Sequence, residues 1–192
     1  MTTTEIALLS SFIGAGASII TQFVANALRD KTDKKKIIFD LIAEERKLAY
    51  MIYLNQIGYS QTGFTIEYYY QLAVIGENAQ QRDSSIERHH DEIKFSNMLH
   101  AKYCDLIGDY CKNIYKLILY IGHSNELEGI LSEILNFRHE DVIGVFDDYK
   151  TYPKLHKAYS KKQKAVPENL ETYKSYFEEM HQIIKRVKKY KA

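Results

Sequence analysis

The sequence predicts an all-α protein, in which an N-terminal hydrophobic helix precedes an antiparallel bundle of four to five helices. Only two Pro and nine Gly occur among 192 residues, so long stretches run without a helix breaker. Beyond residue 34, apolar residues recur at three- and four-residue steps, which is the period of an amphipathic helix. We expect residues 1–30 to form an anchor or oligomerisation helix and residues 31–192 to form the bundle domain.

Residues 6–28 are the longest uncharged stretch of the chain and lie between Glu5 and the basic run 29–36. A helix needs about 20 apolar residues to cross the hydrocarbon core of a bilayer. The positive charge that follows the stretch favours an orientation with the C-terminal body in the cytoplasm. These features predict a single-pass protein of the inner or plasma membrane.

Small and polar side chains fall at helical spacing within this stretch. Such rows let helices approach closely in lipid, and buried amides need partners there. We therefore expect a homo-oligomer or a protein partner, and a lined pore is one form of such self-association. The helix-association candidates are Ser10, Gly14, Ser18, Ser11, Ala15, Gln22 and Asn26.

Two other interpretations of residues 6–28 stay open. The stretch is also compatible with a buried helix of a soluble assembly subunit, where it would contact protein. A cleaved signal peptide is the second alternative, because Ala25-Asn26-Ala27 matches the small-x-small cleavage pattern. The opening residues 1–5 carry no Lys or Arg, whereas a secretory signal usually begins with positive charge.

The first half of the bundle is predicted to contain three helical stretches. Apolar spacing predicts a helix over 34–57, the glycines of 58–63 predict a turn, and helix resumes over 64–79. Polar residues 80–85 predict a kink or short loop. The strongest pattern covers 86–121, where Gly122 is placed as a C-cap. Its heptad seam comprises His100, Cys104, Ile107, Cys111, Ile114, Ile118 and Ile121.

The C-terminal third is predicted to hold shorter helices. Asn125 with Glu128 suggests a capping box for a helix that ends at Phe137. A further helical piece is expected over 142–149, and Pro153 is expected to interrupt the chain. Pro167 is placed as the first residue of the last helix. The predicted buried face of that helix is Leu170, Tyr173, Phe177, Met180, Ile184 and Val187.

No cofactor is expected from the sequence. It contains no phosphate-cradling glycine loop, nucleophile elbow or HExxH. His100 and Cys104 lie four residues apart and could hold a soft metal, but no fourth ligand with characteristic spacing accompanies them and Cys111. Core packing is the favoured interpretation of these side chains, and free thiols fit a reducing compartment.

One short motif suggests catalysis. Arg82 is followed by Asp83 and, seven positions after the arginine, by His89. This segment resembles the Arg-x(4–6)-His motif of HEPN-domain ribonucleases, which are all-α and often act in bacterial immunity or toxin systems. The resemblance covers eight residues and implies RNA cleavage by Arg82, Asp83 and His89. A polar helix start with surface charge is the simpler interpretation.

Lysines form patches although the formal net charge is only +1. Most are expected to be solvated, and some to contact anionic lipid head groups, each contributing roughly 1 kcal/mol near such a surface. Nucleic acid is a second possible anion for the C-terminal patches. The candidates for lipid or anion contact are Lys34, Lys35, Lys36, Lys154, Lys157, Lys161 and Lys162.

The sequence therefore leads to a function without catalysis. We expect a membrane-anchored interaction or assembly protein, with self-association through residues 6–28. Its layout resembles that of small anchored helical proteins of bacterial defence and prophage loci. The resemblance implies a self-associating membrane effector, with a HEPN-like ribonuclease and a soluble assembly subunit as the alternatives.

Overall fold

The computed structural model describes the backbone of residues 3–137 and 142–191, and the side chains of 28–137 and 142–187. Within these ranges the regular structure is helical, as the sequence predicts, and no strand is present. The helices are α1 (Thr3–Ile75), α2 (Ala79–Ile121), α3 (Asn125–Asn136), α4 (Tyr152–Asn169) and α5 (Glu171–Lys191).

The chain divides into two compact units, Met1–Leu41 and Ile42–Ala192. The first unit belongs to α1, and its described side chains include an exposed ion pair between Arg29 and Asp33. Over the part of the chain that the structure describes, no helix is both long and apolar enough to cross a membrane.

The side chains of residues 3–27 lie outside the described residues, and the membrane prediction rests on this segment. The same applies to every helix-association candidate, so neither prediction has a structural outcome. The residues concerned are Ser10, Ser11, Gly14, Ala15, Ser18, Gln22 and Asn26.

In the second unit, α1 and α2 form an antiparallel hairpin. Asn78 caps α2 by accepting a hydrogen bond from the backbone N–H of Gln81 at 2.9 Å. From the C-terminal end of α1 towards its N-terminus, residues of α1 contact successively later residues of α2. The pairs are Tyr69 with Arg88, Tyr59 with His100, and Glu45 with Tyr110. This order fixes the antiparallel direction.

The predicted breaks in this hairpin were wrong. Residues 58–63 are helical, and Gly63 lies against the side chain of Val142 instead of forming a turn. A Cβ on Gly63 would lie 3.3 Å from Val142 Cγ2, and one on Gly58 would lie 3.7 Å from Leu99 Cδ1. The polar stretch 80–85 is also helical, since the chain turns earlier, at 76–78, where Asn78 supplies the cap.

Helices α4 and α5 follow one another along α1 in the antiparallel direction. Gln163 donates to the Gln61 carbonyl at 2.7 Å, Tyr159 stacks on Tyr68, and His181 contacts Glu45 further back along α1. Two helix-type backbone bonds continue across Leu170, which separates the two helices. The two prolines correct the prediction: Pro153 lies at the start of α4, where its missing N–H costs nothing, and Pro167 lies inside α4.

Two predictions for the connecting segments also need correction. Residues 143–148 form turns in place of the expected helix, and Gly144 adopts a positive φ of 73° there. Helix α3 has Ser124 as its N-cap without a side-chain bond, so the expected capping box is absent. Glu128 instead contacts His123 at 2.8 Å. The C-cap at Gly122 is confirmed by its bond to the Ile118 carbonyl at 2.7 Å.

The core of the second unit is built from apolar faces of all five helices, and Phe146 of the turns at 143–148 packs into it with Leu155 and Val166 of α4. On α5 the predicted face is buried from Leu170 to Ile184, and Val187 is half-buried. On α2 the buried row differs from the predicted seam, because His100 and Cys104 are exposed. The buried row of α2 comprises Leu106, Tyr110, Asn113, Ile114, Leu117 and Ile121.

Candidate functional site

The deepest polar cluster of the second unit joins three helices at Glu45. Its side chain lies on α1 and is 0% exposed. The Tyr110 hydroxyl of α2 donates to Glu45 Oε1 at 3.3 Å, and His181 Nδ1 of α5 lies 3.0 Å from Glu45 Oε2. Both carboxyl oxygens therefore have a partner, which a buried carboxyl group requires.

Burial shifts the proton equilibria of this cluster in opposite directions. Desolvation raises the pKa of Glu45 to about 7, against the lowering effects of the Tyr110 hydrogen bond and the Arg46 charge. Desolvation also lowers the pKa of His181, and the positive charges of Arg46 and Lys185 lower it further. Both shifts favour uncharged side chains, in which a protonated Glu45 carboxyl group donates to Nδ1 of a neutral His181.

One ring nitrogen of the cluster has no partner. His181 is 6% exposed, and its Nε2 is buried without a hydrogen bond to any described residue. A buried polar atom that lacks a partner costs about 1–3 kcal/mol. Glu45 and His181 also line a surface cavity of about 460 Å³ whose other walls come from α1 and α5.

The sequence contained a signal for this cluster. Glu45 interrupts an apolar row of α1 between Leu41 and Leu48, and His181 follows Met180 on the buried face of α5. An ionisable residue in such a row needs a buried partner. That the two rows meet could not be read from the sequence, because 136 positions separate Glu45 from His181.

The motif residues of the ribonuclease interpretation lie near the start of α2. Arg82 and Asp83 are exposed, and His89 is half-buried with its ring 6.0 Å from that of Tyr70. Arg82 and His89 are two helical turns apart on one helix, which is about 10 Å along the axis. The neighbouring Arg88 donates to the Tyr69 hydroxyl at 3.2 Å. Arg82 and His89 are thus accessible but not in contact.

The remaining candidates lie on the surface. His100 and Cys104 are exposed, with 3.8 Å between Nε2 and Sγ. The described residues contain no group of three His, Cys, Asp or Glu side chains that could hold a metal ion. Lys162 lies over the Phe64 ring at 5.5 Å and is half-buried. The other lysine candidates are exposed: Lys34, Lys35, Lys36, Lys154, Lys157 and Lys161.

No protein-family model, curated protein or solved structure matches this chain.

Proposed function

We propose that this chain is a membrane-anchored helical protein that acts by self-association or by binding a protein partner. Residues 6–28 are the anchor and the second unit is a cytoplasmic body. The uncharged length of the segment and the basic run 29–36 support this orientation. Self-association at the membrane is the property expected of an effector of bacterial defence or prophage systems.

The observation that carries the proposal is the extent of α1. This helix runs from Thr3 to Ile75 without a break. Within the first unit, the apolar segment and the polar residues 29–41 that follow it are therefore both helical. Past that segment, the side chains of residues 28–37 are exposed, as expected for a polar connection next to a membrane.

The first test is fractionation of the full-length protein followed by an alkaline carbonate wash. An integral protein stays in the pellet and needs detergent to leave it. Recovery in the soluble fraction would contradict the anchor and favour the soluble assembly subunit, for which residues 6–28 bury against protein.

The second test addresses self-association. We expect Gly14→Leu with Ser18→Leu to reduce the oligomer size in detergent, because bulky side chains prevent close approach of the helices. Ile13→Leu with Ile20→Leu is the matched control, since these residues lie seven apart on a face away from the row of Ser10, Gly14 and Ser18, and the change adds no volume. An unchanged oligomer in the Gly14/Ser18 variant would rule out this face as the interface.

The second candidate is RNA cleavage by Arg82, Asp83 and His89, for which the exposure of the first two is the supporting observation. A histidine can act as a general acid or base near neutral pH. Arg82→Ala and His89→Ala should each abolish cleavage while preserving the helical circular dichroism signal. His123→Ala, on an exposed histidine outside the motif, is the control. Cleavage that persists in both variants would remove this candidate.

A further inference from the structure

The cavity beside Glu45 combines the buried Glu45–His181 pair with an open volume. Its size, about 460 Å³, falls within the range of small-molecule sites. Glu45, Ala49, Phe177 and His181 contribute its more buried walls, and Tyr50 and Tyr53 offer aromatic surface. His181 lines this cavity, while its unpartnered Nε2 is itself buried, so a ligand reaches this atom only when the surrounding side chains move apart. A ligand group that paired with it would remove an unmet hydrogen bond.

The number of protons on the Glu45–His181 pair decides which kind of ligand group can bond to His181 Nε2. With one proton between Glu45 Oε2 and His181 Nδ1 and no other on the ring, Nε2 is a hydrogen-bond acceptor. When the pair takes up a second proton, Nε2 carries a hydrogen and becomes a donor. In this state with two protons, Nε2 carries a hydrogen whether the proton between Oε2 and Nδ1 sits on the carboxyl group or on the imidazole. Proton uptake therefore prepares the site for a ligand that accepts a hydrogen bond.

The charges around the cavity favour an anion. The cations are Arg46 of α1 with Lys174 and Lys185 of α5, and Glu178 of α5 is the opposing surface acid. Lys174 is already paired with Glu171 at 2.9 Å and Glu178 at 3.9 Å. Arg46 and Lys185 remain to attract a negative group. The titratable group facing the pair from α2 is Tyr110, which donates to Glu45.

We propose that this cavity binds a carboxylate ligand, one oxygen of which accepts a hydrogen bond from His181 Nε2, and that binding takes up one proton from solvent. The proton enters the Glu45–His181 pair, and the ligand carboxylate lies between this pair and the cationic rim. Aromatic or aliphatic ligand surface packs on Tyr50 and Tyr53. This inference does not depend on the membrane proposal.

The test compares benzoate with benzamide, which has the same shape but no charge. Calorimetry of the full-length protein in two buffers of different ionisation enthalpy counts the protons taken up. We expect benzoate to bind with uptake of up to one proton, and its affinity to rise as much as tenfold per pH unit lowered between pH 8 and 7. Benzamide should bind more weakly and without this pH dependence. Equal binding of the two probes, no benzoate binding, or no proton uptake would overturn the proposal.

Glu45→Gln supplies the decisive variant. The Gln oxygen can accept from Tyr110 and its amide can donate to His181 Nδ1, which fixes the hydrogen on Nε2. Benzoate should then bind with an affinity independent of pH from 6.5 to 8. His123→Gln is the control, because it alters the exposed His123–Glu128 pair and should keep the wild-type pH dependence. A Glu45→Gln protein that keeps that dependence would refute the assignment.

The carboxylate could come from a free small molecule or from an acidic segment of a partner. A blocked tripeptide with a C-terminal glutamate, tested beside benzoate, distinguishes these sources. Tighter, proton-coupled binding of the peptide assigns the site to a partner, and tighter binding of benzoate assigns it to a small molecule.

Discussion

Glu45 makes the free energy of unfolding depend on pH through a single residue. The protonated carboxyl group accepts from Tyr110 and pairs with His181 without placing a charge in the core. Ionisation would leave a desolvated carboxylate between three helices, which is why the folded pKa is about 7 against 4.5 for the free side chain. Because the folded pKa is the higher of the two, Glu45 makes the free energy of unfolding fall as the pH rises.

The first prediction compares Glu45→Gln with the wild type. The stabilisation from protonated Glu45 is fully present below pH 4.5 and is lost as the pH rises through about 7. Gln keeps the shape of the side chain without its charge. The free energy of unfolding of the variant, relative to that of the wild type, should therefore increase by about 1–3 kcal/mol when the pH is raised from 5 to 8. Urea denaturation at the two pH values measures this difference.

His181 acts in the opposite direction and explains why the comparison must be between variants. Its pKa is lowered, so its stabilisation is present above pH 6.5 and is lost as the pH falls. The two residues oppose one another below pH 6.5 in the wild type, and the difference between variants reports Glu45 together with its coupling to His181. Glu44→Gln, which alters the surface pair with Lys47, is the control and should show no such gain. A Glu45→Gln protein that loses stability relative to wild type at pH 8 would contradict the assignment.

At the scale of single elements, two helical glycines have opposite surroundings. Beyond its own stretch of helix, a Cβ on Gly108 of α2 would meet no atom of the described residues within 4 Å, whereas one on Gly63 of α1 would lie 3.3 Å from Val142 Cγ2. Alanine at Gly108 should therefore stabilise the protein by about 0.5–1 kcal/mol through helix propensity alone. At Gly63 the same gain should be offset by displacement of Val142.

The matched experiment measures thermal unfolding of Gly108→Ala, Gly63→Ala, Val142→Ala and the pair Gly63→Ala with Val142→Ala. We expect Gly63→Ala to be less stable than Gly108→Ala by about 1 kcal/mol. In the Val142→Ala background, the Gly63 change should become less unfavourable, because the Cγ atoms are gone. Equal effects of the two glycine changes would show that Val142 yields freely.

The turn wrongly predicted at Gly58 and Gly63 shows where local patterns led to wrong boundaries. A glycine pair predicts a turn from local backbone preferences, but Gly63 is explained by a contact with residue 142, which no local pattern contains. Likewise, Pro153 and Pro167 were interpreted as a break and a helix start, whereas tertiary packing fixes α4 around both. The period at which apolar residues recur, by contrast, depends only on local spacing. It correctly predicted the helical class and the buried face of α5.

At the scale of the whole chain, burial is unevenly distributed between the described segments. Residues 28–37 have exposed side chains, while α2 from Leu106 to Ile121 and α5 from Tyr173 to Ile184 supply many of the deepest core positions. A helix without packed side chains has only its local stability, which is marginal in water. Opening free energies should therefore differ widely along the chain.

The last prediction concerns amide hydrogen exchange of the full-length protein in detergent, followed by mass spectrometry. Amides of 31–40 should exchange at least about a hundredfold faster than those of 108–117, because helix opening there exposes no buried surface. Peptides from 82–92 of α2, whose side chains are mostly exposed, provide an internal comparison and should exchange at intermediate rates. Protection of 31–40 equal to that of 108–117 would mean that a second copy or a partner covers this part of α1. In that case, loss of this protection in the Gly14→Leu/Ser18→Leu protein would assign it to self-association.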